Sequence, residues 1–298
     1  MKNVIITGSL GQDGIILSKL LREKKYNVHG FINKNRKNKL KDIPYFSTPN
    51  NIKKLKKKLD LIQPDIIIHL GSHNPSFGKK FFKKDYQFNL NLTKDIIDYV
   101  SINKNIKLIL ISTSQIFKIS KKKINENSSI KIKNYYSKFR LDSTEYMLSK
   151  KKRLKLNASI LILFNHDSKY RNKRFLFPRL MHAIKFKKFK FIKKIYKENI
   201  IEDFSHAEDI CYAIYLLIKK DKNPDKLILS SGKKSKINDI LDIYCKKYKN
   251  LYLPSKVKKN DNLLLGNNLK AKKLLRWHPK KDFFDVANEI YKSLRKNN

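Results

Sequence analysis

The sequence TGSLGQDG, residues 7–14, constrains the fold more than any other part of this chain. It places Gly8, Gly11 and Gly14 at G-x-x-G-x-x-G spacing, directly after the apolar run NVIIT and before a helix-compatible segment. The first glycine permits a tight turn, the second lets the backbone approach a pyrophosphate, and the third allows close packing of helix on strand. The chain has only eight glycines, and three fall here, which favours dinucleotide binding over a purely structural turn.

The first 165 residues alternate short apolar runs with longer helix-compatible segments. The runs are residues 3–7, 27–32, 65–71, 107–113 and 158–164, with a weaker one at 43–47, and the longer segments are 14–25, 51–62, 85–103 and 135–152. Nearly continuous apolar runs are typical of strands that are covered on both faces. Their alternation with helices predicts an α/β fold, a Rossmann-type doubly wound parallel sheet.

The pattern changes after about residue 166. RFLFPRLMHAIKF, HAEDICYAIYLLIKK and SKINDILDIYCKKY are typical of amphipathic helices, and single short strands such as KLILSS lie between them. We therefore predict a cofactor-binding Rossmann domain at 1–165. Residues 166–298 are predicted to form mainly a smaller C-terminal α+β substrate lobe, with the option that the chain crosses back to the sheet.

The net charge of +44 raises the alternative of a nucleic-acid or anionic-membrane binder. Lysines are spread along the whole chain, however, and no helix-turn-helix, zinc-finger or RNA-recognition signature accompanies them. Compositional bias is therefore preferred over a dedicated nucleic-acid site. The two cysteines give neither a disulfide framework nor a metal-ligand cluster, and we find no signal peptide and no membrane-spanning run. A cytoplasmic protein without a metal or a membrane partner is expected.

The end of the second predicted strand bears on the choice of cofactor. An acidic residue there would bind the ribose 2′-OH of NAD, but the sequence is GFINKNRK. Lys34 and Arg36 suit a 2′-phosphate instead, so NADP is favoured, with NAD as the alternative.

Further motifs follow the glycine loop in a fixed order along the chain. They are VHGF, QPDIIIHLGSH, NLNLT, ISTSQIF, YSKFR, LFNHDS, EDFSHAEDI and LKAKKLLRWHP. Together with GQDG, this series resembles the extended short-chain dehydrogenases/reductases (the NAD-dependent epimerase/dehydratase superfamily), and most closely the GDP-mannose 4,6-dehydratases. The resemblance covers nearly the whole chain.

That resemblance implies a lyase reaction on a nucleotide sugar. The sugar is oxidised at C4 by NADP, loses water across C5 and C6, and is then reduced at C6. It implies that Thr113 hydrogen-bonds the C4 oxygen and that Tyr136 removes the C4 hydroxyl proton. Arg140 stands where the family has lysine, four residues after the tyrosine and on the same helix face.

The fourth catalytic position is Gln115, where the family has the glutamate that removes the C5 proton. An amide cannot take up a proton at neutral pH, and general-base catalysis contributes about 10²–10⁴-fold to a rate. Dehydration should therefore be slowed unless another group serves, and Glu126 and Asp142 are near in sequence. Arg140 is the milder departure because arginine keeps the positive charge, although it is planar and always protonated.

The predicted binding residues come from the glycine loop and from the resemblance. For the cofactor they are Gly8, Ser9, Leu10, Gly11, Gln12, Asp13, Gly14, Lys34, Leu70, Gly71, Ser72, His166 and Arg171. For the substrate they are Asn165, Arg179 and His206, although His206 can equally be a packed histidine at a helix start.

Three hypotheses about function follow. The first is a GDP-mannose 4,6-dehydratase-like enzyme acting on GDP-mannose or a GDP-6-deoxy-hexulose. The second is a C4 reductase or epimerase of a nucleotide sugar, which needs Thr113 and Tyr136 but no base at Gln115. The third is a catalytically degraded cofactor or nucleotide-sugar binder. A homodimer or homotetramer is expected, because related enzymes pair through helices of the sheet domain.

Overall fold

A computed structural model describes residues 1–32, 40–49, 51–75, 80–221, 223–259 and 264–294. Its strands are β1 Asn3–Thr7, β2 Asn27–Ile32, β3 Tyr45–Ser47, β4 Ile66–His69, β5 Lys107–Thr113, β6 Ala158–Leu163, β7 Asn165–Asp167, β8 Ile201–Glu202, β9 Phe204–His206, β10 Lys226–Leu229 and β11 Ser235–Lys236. Its helices are α1 Gln12–Glu23, α2 Ile52–Ile62, α3 Lys83–Ile102, α4 Tyr135–Leu154, α5 Leu176–Lys185, α6 Phe189–Glu198, α7 Ala207–Ile218, α8 Ile237–Cys245, α9 Leu269–Leu275 and α10 Phe283–Ser293. Ser114–Ile116 form one turn of 3₁₀ helix.

Seven strands form one parallel sheet in the order β10-β6-β5-β4-β1-β2-β3. The six strands predicted in the first 165 residues all occur, with bounds within two residues of the apolar runs. The predicted Rossmann-type α/β fold is therefore confirmed.

The apolar strands explain why this sheet is covered on both faces. Val4 and Ile6 of β1 lie in one buried layer with α1, α7 and α9, whereas Ile5 lies in the other with α2, α3 and α4. All three side chains are fully buried. A strand whose alternate side chains enter two apolar layers must be apolar throughout, as the sequence of β1 is.

The chain returns to the sheet after the predicted domain boundary at residue 165. β10 pairs in parallel with β6, in the register Lys226 to Ile160, and α7 packs on α1. The KLILSS run therefore supplies the seventh strand of the main sheet, and the chain crosses back to the sheet, an option that the sequence analysis had left open. Leu227, Ile228 and Leu229 are fully buried, because Leu227 and Leu229 lie in the layer of α7 and α9 and Ile228 lies in the opposite layer.

The remaining C-terminal elements form a separate apolar cluster. α5, α6, α8 and α10 pack around Phe177, Phe204 and Phe283, whose rings lie 4.7–5.7 Å apart. Two short pairings, β7 with β9 and β8 with β11, form separate two-stranded sheets in this part of the chain. This lobe stands beside the carboxyl end of β6, from which β7 continues.

The strand order reverses between β1 and β4, which lie side by side at the centre of the sheet. Ligands of open parallel sheets bind in the crevice beyond the carboxyl ends of the strands at such a point. The segments that follow β1, β4, β5 and β6 therefore line the candidate site. None of the described helices combines the length and the apolar character needed to cross a membrane.

Candidate active site

The glycine loop forms a tight cradle between β1 and α1. Gly8 has a φ of +67°, and a Cβ atom there would lie 2.9 Å from the Cα of Gly71, so only glycine fits. A Cβ at Gly14 would lie 2.5 Å from the carbonyl oxygen of Gly8. A Cβ at Gly11 would meet only that same oxygen, at 3.1 Å, and otherwise open space at the N-terminus of α1. This arrangement fits the pyrophosphate of a dinucleotide, which binds backbone N–H groups at a helix N-terminus.

Other predicted cofactor residues hold this loop to the rest of the protein. The side chain of Gln12 donates to the carbonyl of His166 at 3.1 Å and accepts from the Ser168 hydroxyl at 3.0 Å. Asp13 accepts from Nε2 of His166 at 3.0 Å. Ser9 and Leu10, which are part of the loop, are buried. The loop is therefore tied to β7, on the far side of the crevice.

The Asp13–His166 contact is a buried ion pair. Nδ1 of His166 faces the carbonyl oxygen of Phe164 at 2.7 Å and Nε2 faces the Asp13 carboxylate, so both nitrogens must carry protons. Burial alone would raise the pKa of Asp13, but the charge of His166 and its hydrogen bond lower that pKa to about 2. Burial likewise lowers the pKa of His166, and Asp13 reverses this to give a raised pKa. Because the pair is neutral overall, Asp13 does not oppose an anion at the start of α1.

The Arg171 side chain contacts two residues close to it in sequence, Asp167 and Phe175. Its Nε lies 3.0 Å from Asp167, and its guanidinium carbon lies 3.8 Å from the ring centroid of Phe175. It borders the His166 segment, so a cofactor contact remains a prediction. Lys34, the predicted reader of the 2′-phosphate, lies outside the described residues.

A hydrogen-bond chain missed by the sequence analysis fixes the ends of β1 and β4. The Thr7 hydroxyl accepts from the backbone N–H of Gly71 at 2.8 Å and lies 2.8 Å from Nδ1 of His69. Nε2 of His69 lies 3.0 Å from the Thr93 hydroxyl, which itself donates to the carbonyl of Asn89. His69 must then donate from Nε2 and accept at Nδ1, which is the neutral form. Burial, and then the charge of Arg140, lower the pKa of His69 to about 3.

Arg140 reaches the crevice from α4 and is buried. Its guanidinium donates to the carbonyl of Ile111 at 2.7 Å, to the Ser72 hydroxyl at 2.8 Å and to Oδ1 of Asn74 at 3.2 Å. It thereby links β5 to the segment that follows β4. Its central carbon also lies 5.3 Å from the ring centroid of Tyr136, within the range of a cation–π contact.

The structure brings the remaining predicted catalytic residues to the same end of the sheet. Thr113 is the last residue of β5, and its hydroxyl accepts from the backbone N–H of Gln115 at 3.4 Å. Tyr136 lies in the first turn of α4, largely buried, with the ring of Phe81 edge-on at 5.5 Å. Gln115 lies in the 3₁₀ turn with an exposed side chain.

Neither nearby carboxylate replaces the base that Gln115 lacks. Oε1 of Glu126 accepts from the backbone N–H of Ile228 at 3.0 Å, so this side chain caps the edge of β10. Asp142 accepts from the Tyr86 hydroxyl at 2.6 Å and pairs with Lys138 at 3.0 Å, on the outer side of α3 and α4. The sequence left open whether either carboxylate could serve, and both side chains are engaged elsewhere.

The three predicted substrate residues have different surroundings. Asn165 is the first residue of β7, and its side chain donates to Glu202. Arg179 lies on α5 with its guanidinium carbon 5.0 Å from the ring centroid of Phe191. His206 is fully buried, where it caps the N-terminus of α7 and pairs with Glu289. Its substrate role is therefore not supported, and it is the packed histidine at a helix start.

His206, Glu208 and Glu289 also form the one group in the described ranges that could hold a metal ion. Lys281 lies 2.5 Å from Glu208 and 4.0 Å from Glu289, and Lys169 lies 3.9 Å from Glu289. These two ammonium groups already neutralise the carboxylates, so the cluster is an ion-pair network.

The fold and the site together define the class of protein. A glycine loop at the switch point, a threonine at the end of β5 and a tyrosine at the start of the next helix are typical of the extended short-chain dehydrogenases/reductases, which use a nicotinamide dinucleotide. The sequence model of the GDP-mannose 4,6 dehydratase family matches residues 5–290. The chain belongs to that family, which confirms the resemblance.

Similar proteins carry the same family name, and solved structures share the fold. GDP-mannose 4,6 dehydratase 1 of Arabidopsis thaliana is 24% identical over 318 residues, covering 95% of this chain and 86% of the relative. The Dictyostelium discoideum GDP-mannose 4,6 dehydratase is also 24% identical, covering 97% and 94%. The crystal structure of Bacillus anthracis dTDP-glucose 4,6-dehydratase in complex with NAD superimposes with a TM-score of 0.81 at 16% identity, covering 98% and 96%. UDP-glucose 4-epimerase of Thermotoga maritima, with UDP-glucose, gives 0.81 at 14% identity, covering 98% of each chain.

Proposed function

We propose that this protein transfers hydride at C4 of a GDP-linked hexose, as a nucleotide-sugar oxidoreductase of the dehydratase family. The observation that carries the proposal is the contrast between two positions. Tyr136 and Thr113 stand together at the sheet end with the positive charge of Arg140 beside the tyrosine ring. Gln115 holds the position of the C5 base, and both neighbouring carboxylates are engaged elsewhere.

The chemistry follows from these residues. Tyr136 takes the proton of the C4 hydroxyl while Thr113 hydrogen-bonds the same oxygen. The positive charge of Arg140 stabilises the negative charge that develops on the tyrosine oxygen. Three hydrogen bonds hold the guanidinium in place, so it need not rearrange during the reaction. The bound nicotinamide dinucleotide supplies the acceptor and donor of the hydride. Gly8, Gly11 and the N-terminus of α1 would hold its pyrophosphate.

NADP is the proposed cofactor. The support is the absence of an acidic residue in GFINKNRK and the presence of Lys34 and Arg36 in that segment. Titration of the purified protein with NADP and with NAD tests this choice, and tighter binding of NAD would contradict it.

Complete 4,6-dehydration of GDP-mannose is the second candidate, because the matching family carries that name. Two assays separate the candidates. In the first, the protein is incubated with NADP and GDP-mannose, and the 4-keto-6-deoxy sugar is followed. In the second, NADPH consumption is followed with a supplied GDP-4-keto-6-deoxy-hexose.

We expect reduction in the second assay and a strongly slowed or absent product in the first. Product at ordinary turnover in the first assay would favour dehydration and overturn the reasoning from Gln115. Cofactor binding without either activity would instead support a degraded binder.

A further inference from the structure

Glu202 places a carboxylate in the crevice that the proposed chemistry does not use. It lies on β8, and its Oε2 accepts a hydrogen bond from the side chain of Asn165. Asn165 follows β6, whose residue Leu163 is the register partner of Thr113 on β5. Glu202 is thus attached to the strand end that adjoins the catalytic threonine.

An electrostatic interaction also relates Glu202 to the segment before the catalytic helix. The positive charge of Lys133 acts on the Glu202 carboxylate, and Lys133 precedes Tyr136 by three residues. The carboxylate therefore lies between the end of β6 and the start of α4. Burial raises its pKa, and the Asn165 hydrogen bond and the charge of Lys133 only partly offset this.

The hydrogen-bonding capacity of this side chain is not filled by the described part of the chain. There, the one hydrogen bond to the Glu202 carboxylate comes from Asn165, whereas an ionised carboxylate has about four lone-pair sites. The side chain is only partly buried, so a ligand in the crevice can reach it. The lone pairs that no protein group fills can accept hydrogen bonds from a ligand that carries O–H or N–H donors.

The parts of a nucleotide sugar differ in what they can donate. A diphosphate offers only acceptor oxygens and negative charge, which the carboxylate would repel. Sugar hydroxyls donate, and a hexose bound at Thr113 lies at the strand end next to Asn165 and Glu202. The family motif that resembles EDFSHAEDI has arginine at this position, so the carboxylate is a feature of this chain.

We propose that Glu202 determines substrate specificity by accepting hydrogen bonds from hydroxyl groups of the hexose. The inference rests on the proposed function, since it assumes a nucleotide sugar in the crevice. Two variants test it, Glu202→Gln, which keeps the shape but removes the charge, and Glu202→Ala. Glu198→Gln is the matched control, because Glu198 is an acid of α6 that pairs with Lys258.

The measurement is calorimetric binding of GDP-mannose and of GDP at pH 8, with NADP present and folding checked by circular dichroism. Loss of a hydrogen bond to a charged group should weaken GDP-mannose binding by about 10-fold or more in both Glu202 variants. GDP binding should stay within about twofold, because the hexose is absent from it. Glu198→Gln should match the wild type for both ligands.

Several results would overturn the inference. Equal weakening of both ligands would place Glu202 at the guanosine, and tighter binding of both would place it at the diphosphate. Unchanged binding would show that it touches neither, and unchanged binding with lost turnover would make it a proton-transfer group. Failure of the proposed function is distinct, since the wild-type protein itself would then bind no GDP-mannose.

Discussion

Replacement of Asp13 by asparagine tests whether the predicted cofactor residues act by holding the glycine loop. Asp13 and His166 form a buried ion pair between the start of α1 and β7. Asparagine has the same shape and can donate to a neutral His166, so the variant removes charge and little else. We expect it to lower the free energy of unfolding.

The magnitude follows from the pKa of Asp13. That pKa falls from 3.8 to about 2, which corresponds to about 2 kcal/mol of stability, counted once for the pair. The contribution of Asp13 is present above its unfolded pKa and is lost as the pH falls toward 2. The pKa of His166 is raised above 6.5, so its contribution is present below that value and is lost as the pH rises through the folded pKa. The pair is therefore intact near pH 6 and weakens toward pH 9.

Urea denaturation of the wild type and the variant at pH 6 and pH 9 measures this effect. We expect a difference of about 2 kcal/mol at pH 6 that shrinks as the pH rises toward 9 and through the folded pKa of His166. Asp85→Asn is the control, because Asp85 pairs with His73 at a more exposed position and should cost less than about 1 kcal/mol. Equal destabilisation by Asp13→Asn at both pH values would refute the ion pair as its cause.

Three further predictions concern the catalytic positions. Gln115→Glu should raise formation of the 4-keto-6-deoxy sugar from GDP-mannose by about 10²–10⁴-fold, and an unchanged rate would show that another group is the base. Tyr136→Phe should lower NADPH-dependent reduction of the 4-keto sugar at least about 10²-fold. It should leave the urea midpoint nearly unchanged, because the described residues make no hydrogen bond to its hydroxyl, and retained reduction would exclude Tyr136 as the proton-transfer group. Arg140→Lys should lower the free energy of unfolding, measured by urea denaturation, by about 1–3 kcal/mol. One ammonium group cannot replace the hydrogen bonds to Ile111, Ser72 and Asn74. A free energy of unfolding equal to that of the wild type would show that these bonds contribute little.

The sheet could be predicted from the sequence where the chain provides local signals. β1, β2 and β5 have the bounds of their apolar runs because each strand is buried on both faces. The place of β10 could not be predicted in this way. Its four residues are an apolar run like the others, but its partner β6 lies more than sixty residues earlier in the chain. Pairing over that distance depends on α7 covering the strand, which no local pattern reveals.

The sequence predicted those site residues that lie at or just after the carboxyl ends of strands. Parallel strands bring their carboxyl ends to one edge, so Gly8, Gly71 and Thr113 had to meet there. The partners of the polar side chains were not predictable, because they arise from packing between distant segments. Asp13 finds His166 more than 150 residues away, and Glu202 finds Asn165 across the lobe. The only sequence signal for Glu202 was its place at the start of EDFSHAEDI, where the similar family motif has arginine.

The two departures at the predicted catalytic positions affect different steps of the reaction. At Arg140 the positive charge is retained, and its bonds to the ends of β4 and β5 hold it beside Tyr136. At Gln115 the charge is lost, and the carboxylates nearest in sequence, Glu126 and Asp142, are bound to the edge of β10 and to the outer face of α4. Hydride transfer at C4 needs the first position and not the second, whereas elimination of water needs both. We therefore expect the substitutions to affect dehydration more than C4 oxidation and reduction, which is why we propose the latter reaction.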